Sequence, residues 1–281
     1  MKVSLSDKLL LSVQKPVRYI GGEVNSIYKA TEEYDVHYCF CFPDVYDVGM
    51  CHLGLQILYY EINKPDHVYC ERAFAPWTDM EEKMRVNLIQ LFSVETRTPL
   101  KEFDFIGFTL QYEMSYTNIL NMLDLAGLPL RSADRPGLTP LVLAGGTCCY
   151  NPEPLAPFMD LFVLGEGEEV TLEYLQLLKQ AKNEGWDKAR FLRQASHIPG
   201  IYVPSLYDVT YHEDGTVAAV TPKYEDVPAR VTKRIIQDMD KSYFPVKTII
   251  PSTEIVHDRV MLELFRGCIR GCRFCQAGYV Y

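Results

Sequence analysis

Long apolar runs are missing from this sequence. No continuous apolar stretch approaches the roughly 20 residues that a membrane-spanning helix needs. The first residues, 1–16, contain an apolar patch that is too short and too charged for a convincing secretion signal. Internal repeats and low-complexity tracts are absent as well. These absences argue against a membrane protein or a repeat protein, and they make a cytoplasmic protein without membrane partners the default expectation.

An excess of positive charge is also missing, since the formal net charge of the 281 residues is −9. The hydrophobic content of 48% is enough for the core of one large domain or two ordinary ones. The charge is uneven, because residues 223–281 carry ten Lys or Arg against seven Asp or Glu. The sequence therefore argues against general affinity for nucleic acids, yet it leaves room for a polyanion beside the C-terminal segment.

Cysteines are plentiful, with nine in the chain. Without a secretion signal, they indicate buried thiols, metal ligands or redox groups rather than a disulfide framework. Those in or beside apolar runs are expected to be buried thiols: Cys39, Cys41, Cys51, Cys70, Cys148 and Cys149.

Short β-rich runs alternate with helical stretches between residues 36 and 185, which predicts a parallel sheet covered by helices. Strands are predicted at 36–42, 67–74, 105–110, 140–146 and 160–165. Helices are predicted at 50–62, from Pro76-Trp77-Thr78 onward, at 115–127 and at 168–182. Five strands in this order predict a doubly wound α/β domain, whose ligands bind outside the carboxyl ends of the strands.

The pattern changes near residue 200, where we expect a domain boundary. Residues 205–222 alternate polar and apolar around Asp214-Gly215, which predicts a β-hairpin. A proline-punctuated linker follows at 223–258, and residues 259–265 are predicted to form an apolar strand. The expected organisation is an N-terminal extension, the sheet domain, a hairpin with linker, and the start of a further domain, at 1–35, 36–200, 201–258 and 259–281.

Three cysteines, Cys268, Cys272 and Cys275, follow the last predicted strand. Gly267 and Gly271 would let the backbone fold so that the three thiolates converge on one centre. Thiolates are the ligands of iron–sulfur clusters, and three of them on a four-iron cluster leave one iron open for a substrate. A zinc site with His257 as fourth ligand and a set of unligated thiols are the alternatives.

The C-x3-C-x2-C spacing, with the aromatic Phe274 just before the last cysteine, resembles that of the radical S-adenosylmethionine (SAM) enzymes. The resemblance implies a [4Fe–4S] cluster on Cys268, Cys272 and Cys275. The open iron would bind the amino and carboxylate groups of SAM, reduction would release a 5′-deoxyadenosyl radical, and Phe274 would lie near the adenine. It also implies an electron donor such as flavodoxin or ferredoxin. No catalytic residue is assigned.

Along the whole chain, the sequence is similar to the cobalamin-binding domain/radical SAM family proteins. The residues that carry this likeness are 15–26, 43–54, 110–130, 143–156, 165–169 and 266–281. The likeness implies a flavodoxin-like sheet of the cobalamin-binding type, then the hairpin and linker, and then the first strand and cluster loop of a truncated radical SAM (β/α) barrel. The positions of the cobalamin motifs are Asp44, Tyr46, Gly49, Thr109, Gly145 and Gly146.

Tyr46 stands where this family has the histidine that ligates cobalt, so bound cobalamin should lack a protein nitrogen ligand. His52 either reaches back toward the metal or is a satisfied histidine of the following helix. Gly165, Glu166 and Gly167 either line the nucleotide pocket or form a strand-to-helix turn with acids at the helix N-terminus.

Three functions stay open. The first is the N-terminal piece, inactive alone, of a cobalamin-dependent radical SAM enzyme that carries out chemistry such as methyl transfer. The second is a radical SAM enzyme whose sheet domain no longer binds cobalamin and serves as a platform for a substrate or partner, with RNA among the candidates. The third is a stand-alone ligand-binding module. The sequence does not identify the substrate.

Overall fold

The structure, a computed structural model, describes residues 2–280, so Met1 and Tyr281 at the ends of the predicted first and last segments lie outside it. The strands are β1 Val36–Phe42, β2 Val68–Phe74, β3 Phe105–Thr109, β4 Leu141–Gly145, β5 Leu161–Val163, β6 Ile201–Tyr202, β7 Tyr207–Tyr211 and β8 Val217–Pro222. The α-helices are α1 Asp7–Leu10, α2 Tyr46–Gly49, α3 Leu53–Asn63, α4 Thr78–Val86, α5 Tyr116–Leu125, α6 Gly167–Glu184, α7 Lys188–Ala195 and α8 Ala277–Val280.

Six strands form the main sheet in the order β2-β1-β3-β4-β5-β6. The first five are parallel to their neighbours, and β6 is antiparallel to β5. All seven residues of β1 and of β2 are buried, so both faces of these two strands are covered, although β2 lies at the edge of the sheet. The α/β fold and the five predicted parallel strands are confirmed. The strand β6 and the helix α7 were not predicted.

The helix predicted at 50–62 begins later than expected. His52 is the N-cap of α3, because its side-chain Nδ1 accepts a hydrogen bond from the backbone N–H of Leu55 at 3.0 Å. A separate short helix, α2, precedes this cap. The predicted start at residue 50 is therefore wrong, and His52 lies at the helix entrance rather than inside the helix. Among the helices of residues 2–280, none is long and apolar enough to span a membrane.

Buried thiols account for five of the six cysteines expected to be so. Cys39, Cys41, Cys70, Cys148 and Cys149 are buried. Cys51 is half-buried, and its Sγ donates to the carbonyl oxygen of Asp47 at 3.1 Å.

The N-terminal segment is joined to the sheet by a buried ionic cluster. Arg72 of β2 is fully buried, with Nη2 3.2 Å from Glu23 Oε2 and Nε 2.6 Å from Glu95 Oε1. Burial raises the pKa of Glu95 to about 7, although Arg72 counteracts this rise. Lys29 donates from Nζ to three backbone carbonyl oxygens, those of Asn63, Pro65 and Val68. Glu23 and Lys29 thus bond the N-terminal segment to the strand β2 and to the turn before it.

The C-terminal part confirms one prediction and contradicts another. The hairpin is present as β7 and β8, with Gly215 in its turn at φ +83°. The strand predicted at 259–265 is wrong, because these residues form no strand. The alternating side chains of Val260, Leu262 and Leu264 are more than two-thirds exposed, since no described segment pairs with this stretch. The strand β6 begins one residue after the boundary predicted near residue 200.

Candidate functional site

A cavity of about 440 Å³ opens at the carboxyl ends of the parallel strands. Its floor includes Phe40 of β1, Thr109 of β3 and Gly145 of β4. One wall is the turn from β5 into α6, and a cover is provided by residues 263–267 together with Ala277. Open parallel sheets bind their ligands at this edge, so the cavity is the candidate ligand site.

Glycines keep the floor of the cavity close to the backbone. Gly146 has φ +105°, and a Cβ atom there would lie 2.6 Å from the carbonyl oxygen of Leu110, so this position requires glycine. At Gly145 an added Cβ would meet only Val163, at 3.7 Å. A side chain at Gly145 is therefore compatible with the fold, and it would occupy space that a ligand could use.

A polar strip of His52, Gln111 and Thr109 lies along one side of the cavity. Gln111 Nε2 donates to Thr109 Oγ1 at 2.7 Å. Burial lowers the pKa of His52, and a hydrogen bond with Gln111 partly offsets that effect. Because Nδ1 of His52 accepts from a backbone N–H, the proton of the neutral ring resides on Nε2. The protonated Nε2 cannot coordinate a metal while this cap is in place.

The opposite side of the cavity is acidic and is closed by an arginine. Arg266 Nη1 lies 3.4 Å from Glu166 Oε1, Nη2 lies 2.5 Å from Glu168 Oε1, and Nε lies 2.9 Å from Glu263 Oε1. Burial would lower the pKa of Arg266, but hydrogen bonds to Glu263 and Glu168 outweigh it and raise that pKa. Three carboxylates around one guanidinium leave a net negative wall.

The structure brings most of the predicted sheet-site residues to one place. Those that line the cavity are Thr109, Gly145, Gly146, Gly165, Glu166 and Gly167. Gly165 has φ +98°, and it forms a parallel bridge with Arg234 of the linker.

The residues after β1 lie elsewhere. Tyr46 is buried and donates from its hydroxyl to Glu23 Oε1 at 3.0 Å. Asp44 Oδ1 accepts from the N–H of Val45, and Gly49 packs where a Cβ would lie 2.4 Å from the Phe74 ring. None of these three predicted residues lines the cavity.

The three closing cysteines are accessible. Cys268 and Cys272 are exposed, Cys275 is half-buried, and Phe274 is 93% exposed. Among residues 2–280, no three or more His, Cys, Asp or Glu side chains are grouped so that they could hold a metal ion. Gly267 and Gly271 have positive φ values of +79° and +61°. Three thiols fit a cluster in their donor chemistry, and the loop would have to close for them to bind one together.

His257, the fourth zinc ligand considered above, lies beside a different cysteine. Its backbone N–H donates to Cys51 Sγ at 3.1 Å. Among residues 2–280, His257 is not part of any group of three or more side chains that could hold a metal ion.

Several cavity residues were not singled out by sequence reasoning. Gln111, Glu263 and Arg266 line the cavity, and His52, which also lines it, was considered only as a ligand to cobalt or as a satisfied histidine of the following helix. The one local signal for these residues was the position of Arg266 directly before the cysteine loop. The pairing of Arg266 with Glu168 leaves no signal in the sequence, because the two residues are 98 positions apart.

Comparisons with known proteins give the family. An uncharacterized protein of Methanocaldococcus jannaschii is 26% identical over 196 residues, which are 69% of this chain and 34% of that protein. The chain thus spans about a third of the length of the curated relative it matches. A family model described as "Radical SAM proteins, N-terminal" matches residues 54–204, more than half of the chain. The chain therefore belongs to the family of radical SAM proteins defined by their N-terminal region.

Proposed function

We propose that this chain supplies the sheet domain and the cluster segment of a radical SAM enzyme. Cys268, Cys272 and Cys275 would bind a [4Fe–4S] cluster, and SAM would bind at its open iron. One observation carries the proposal. The chain belongs to this family, and none of the three cysteines of its C-x3-C-x2-C sequence is buried. When bound, the reduced cluster supplies the electron that cleaves SAM to a 5′-deoxyadenosyl radical.

The other thiols are poor competitors for iron. Burial raises the pKa of Cys39, Cys70 and Cys149 well above the ordinary value, which keeps these thiols protonated. Cys268 and Cys272 are instead open to iron and sulfide from solvent. The two glycines with positive φ in this loop give its backbone the freedom to close. Phe274, which is exposed, is free to stack on the adenine of SAM.

The arrangement of domains is part of the proposal. The order 2-1-3-4-5 of the parallel strands supports a flavodoxin-like sheet, with a switch point between β1 and β3. We take residues 36–202, which include β6, as this sheet domain, with 1–35 as its N-terminal extension and 203–258 as the hairpin and linker. Residues 259–280 would begin the radical SAM domain. An electron donor such as flavodoxin or ferredoxin stays a prediction.

Cobalamin is the first candidate ligand of the cavity. Thr109, Gly145 and Gly146 line the cavity at the positions that the cobalamin motifs would occupy, which supports it. Neither candidate residue can supply a nitrogen ligand to cobalt. Tyr46 has no side-chain nitrogen and does not line the cavity, and His52 carries its proton on Nε2. A corrinoid would therefore bind without a histidine below the metal, and it would require residues 263–267 to move aside, because it is larger than the 440 Å³ cavity.

A substrate platform is the second candidate, and the acidic wall favours it. Glu166, Glu168 and Glu263 would repel the phosphates of RNA at this cavity, whereas a neutral or cationic small molecule would be accepted. RNA would then have to bind outside the cavity.

Anaerobic reconstitution with iron and sulfide tests the cluster. We expect the wild-type chain to gain a brown chromophore with about four irons per chain, and addition of SAM to change the electron paramagnetic resonance of the reduced cluster. Replacing Cys268, Cys272 and Cys275 together by alanine should abolish both signals. The matched control is Cys51→Ala, which removes a cysteine outside the loop that is half-buried, as Cys275 is. Iron uptake that survives the triple replacement, or falls equally in the control, would contradict the proposal.

Cobalamin is tested in the same preparation. The characteristic visible absorbance of a corrinoid, after anaerobic purification from cells supplied with it, would support the first candidate. A protein that binds the iron–sulfur cluster but no corrinoid would support the platform instead.

A further inference from the structure

The opening turn of α6 contains a run of acids that face basic residues from the C-terminal part of the chain. Glu166 and Glu168 contact Arg266, as described above. Glu169 Oε2 lies 3.0 Å from Nη2 of Arg234, and Glu173 Oε1 lies 2.5 Å from the same atom. Two of the basic residues after residue 223, Arg234 and Arg266, therefore have their partners within the protein, in the first turns of α6.

Glu166 links two separate segments to this turn. One carboxylate oxygen faces Arg266, and the other accepts a hydrogen bond from the backbone N–H of Ile236 in the linker. The backbone of Arg234 is held as well, because its carbonyl oxygen accepts from the N–H of Glu166 at 3.0 Å. The turn is thus bonded both to the linker and to the segment that carries the cysteines.

The contacts of Arg266 are shielded from water. The side chains of Arg266, Glu166 and Glu168 are 14%, 11% and 10% exposed. Screening by salt and water is weak at such burial, in contrast to ion pairs on the surface. The carboxylates also lie at the N-terminus of an 18-residue helix, where the helix dipole favours negative charge. By comparison, Arg270 and Arg273 in the cysteine loop are exposed.

Arg266 lies two residues before the first cysteine, and Glu263, Phe265 and Gly267 beside it line the cavity. We propose that Arg266 is a positioning residue: with Glu166 and Glu168 it forms a clasp that holds the cysteine loop at the mouth of the sheet cavity. The clasp would bring a metal on the loop beside a ligand in the cavity, and this consequence rests on the proposed cluster. The clasp itself is a property of the described side chains alone.

Limited digestion with trypsin tests the clasp without any metal. Trypsin must take the arginine side chain into its own pocket, so an arginine that Glu166 and Glu168 hold against the sheet domain is protected until the segment opens. In the wild-type chain we expect fast cleavage after Arg270 and Arg273 and slow cleavage after Arg266. In the Glu166→Gln/Glu168→Gln variant, the initial rate of cleavage after Arg266 should rise on the order of tenfold, with the other two rates unchanged.

The matched control is Glu169→Gln/Glu173→Gln, which removes two carboxylates from the same helix but leaves the contacts of Arg266 intact. Mass spectrometry of the early peptides gives each cleavage rate, and circular dichroism checks that both variants are folded. An unchanged rate after Arg266 in Glu166→Gln/Glu168→Gln, or an equal increase in the control, would overturn the clasp.

The positioning role is tested on the reconstituted protein, by the rate at which a chelator removes iron. Arg266→Gln should lose iron several-fold faster than the wild type. Arg266→Lys, which keeps the charge but not the two-pronged geometry, should fall between them. Arg270→Gln, which removes the charge of an exposed arginine, should behave like the wild type. Iron that is bound by all four proteins and lost at one common rate would overturn the positioning role.

The two proposals fail separately. A wild-type chain that takes up no iron would refute the proposed cluster, and the trypsin pattern would then decide the clasp by itself. A chain that takes up iron, but whose Arg266 is cleaved as fast as Arg270, would keep the cluster and refute the clasp.

Discussion

At the scale of single residues, His52 shows how one hydrogen bond determines what a side chain can do. The bond from the N–H of Leu55 to Nδ1 caps α3 and also fixes the proton of the neutral ring on Nε2. The ring therefore faces the cavity as a hydrogen-bond donor, and its protonated Nε2 cannot act as a ligand for a metal. A cap that stabilises a helix has in this way restricted the chemistry of the site.

His52 should make the folded protein sensitive to acid. Burial lowers its pKa below the ordinary value of 6.5, so the folded state binds the proton more weakly than the unfolded state. The resulting stability is fully present above pH 6.5 and is lost as the pH falls below that value. We expect His52→Asn, which retains a capping oxygen but does not titrate, to reduce this loss between pH 7 and 5. Urea unfolding at several pH values measures it.

Two variants control this prediction. His52→Ala removes the cap as well and should lower the free energy of unfolding by about 1 kcal/mol at pH 7. His212→Asn makes the same change at an exposed histidine of the hairpin turn and controls for the substitution itself. An equal acid sensitivity in wild type and His52→Asn would show that other groups cause it.

At the scale of elements, the strand β2 depends on a charge contributed by a distant segment. Arg72 is fully buried between Glu23 of the N-terminal segment and Glu95 of the loop after α4. Each partner compensates for part of the cost of removing the guanidinium from water. The strand, the loop and the N-terminal segment therefore share one electrostatic cluster.

Replacing Arg72 should strongly destabilise the protein. In Arg72→Leu, two buried carboxylates lose their counter-charge, and we expect the free energy of unfolding to fall by about 3–5 kcal/mol. Arg85→Leu is the matched control, because its ion pairs with Glu81 and Asp124 are partly exposed to solvent and should contribute less than about 1 kcal/mol. Urea denaturation of both variants measures the difference. Similar losses in the two would show that the buried cluster contributes little net stability.

The elements also show how far the sequence could predict this structure. The strands β1, β3, β4 and β5 were predictable because buried parallel strands are apolar runs, and β2 was predictable although Glu71 and Arg72 interrupt its run. The two residues of β6 form a strand only because β5 offers a free edge, which no local pattern reveals. Residues 259–265 have the apolar run of a strand, but no described segment pairs with them, so pattern alone misled the prediction. The location of the cavity glycines was predictable, because they follow parallel strands whose carboxyl ends meet at one edge of the sheet. The pairing of Arg266 with Glu168 was not predictable, because it depends on the tertiary fold.

At the scale of the whole molecule, the nine thiols divide by accessibility into distinct classes. Under native, metal-free conditions, we expect iodoacetamide to modify Cys268 and Cys272 first, since both are exposed. The half-buried Cys51 and Cys275 should react more slowly. The five buried thiols should react only on unfolding, because burial denies access to the reagent. Peptide mass spectrometry at successive times gives the order, and labelling in urea should reach all nine. Early modification of Cys39 or Cys70 would contradict the sheet described here.

The bonds made by residues 15–29 have a practical consequence for anyone who divides this chain. The sequence pattern suggests that the chain could be truncated at residue 36, where the first strand begins, without damage to the sheet. This truncation would strip Arg72 of one of its two carboxylates, deprive the Tyr46 hydroxyl of its acceptor and remove the ammonium group that ties three carbonyls together. Lys15 and Arg18 also pair with Asp47 of α2, so the smallest autonomous unit of this protein should start upstream of Lys15.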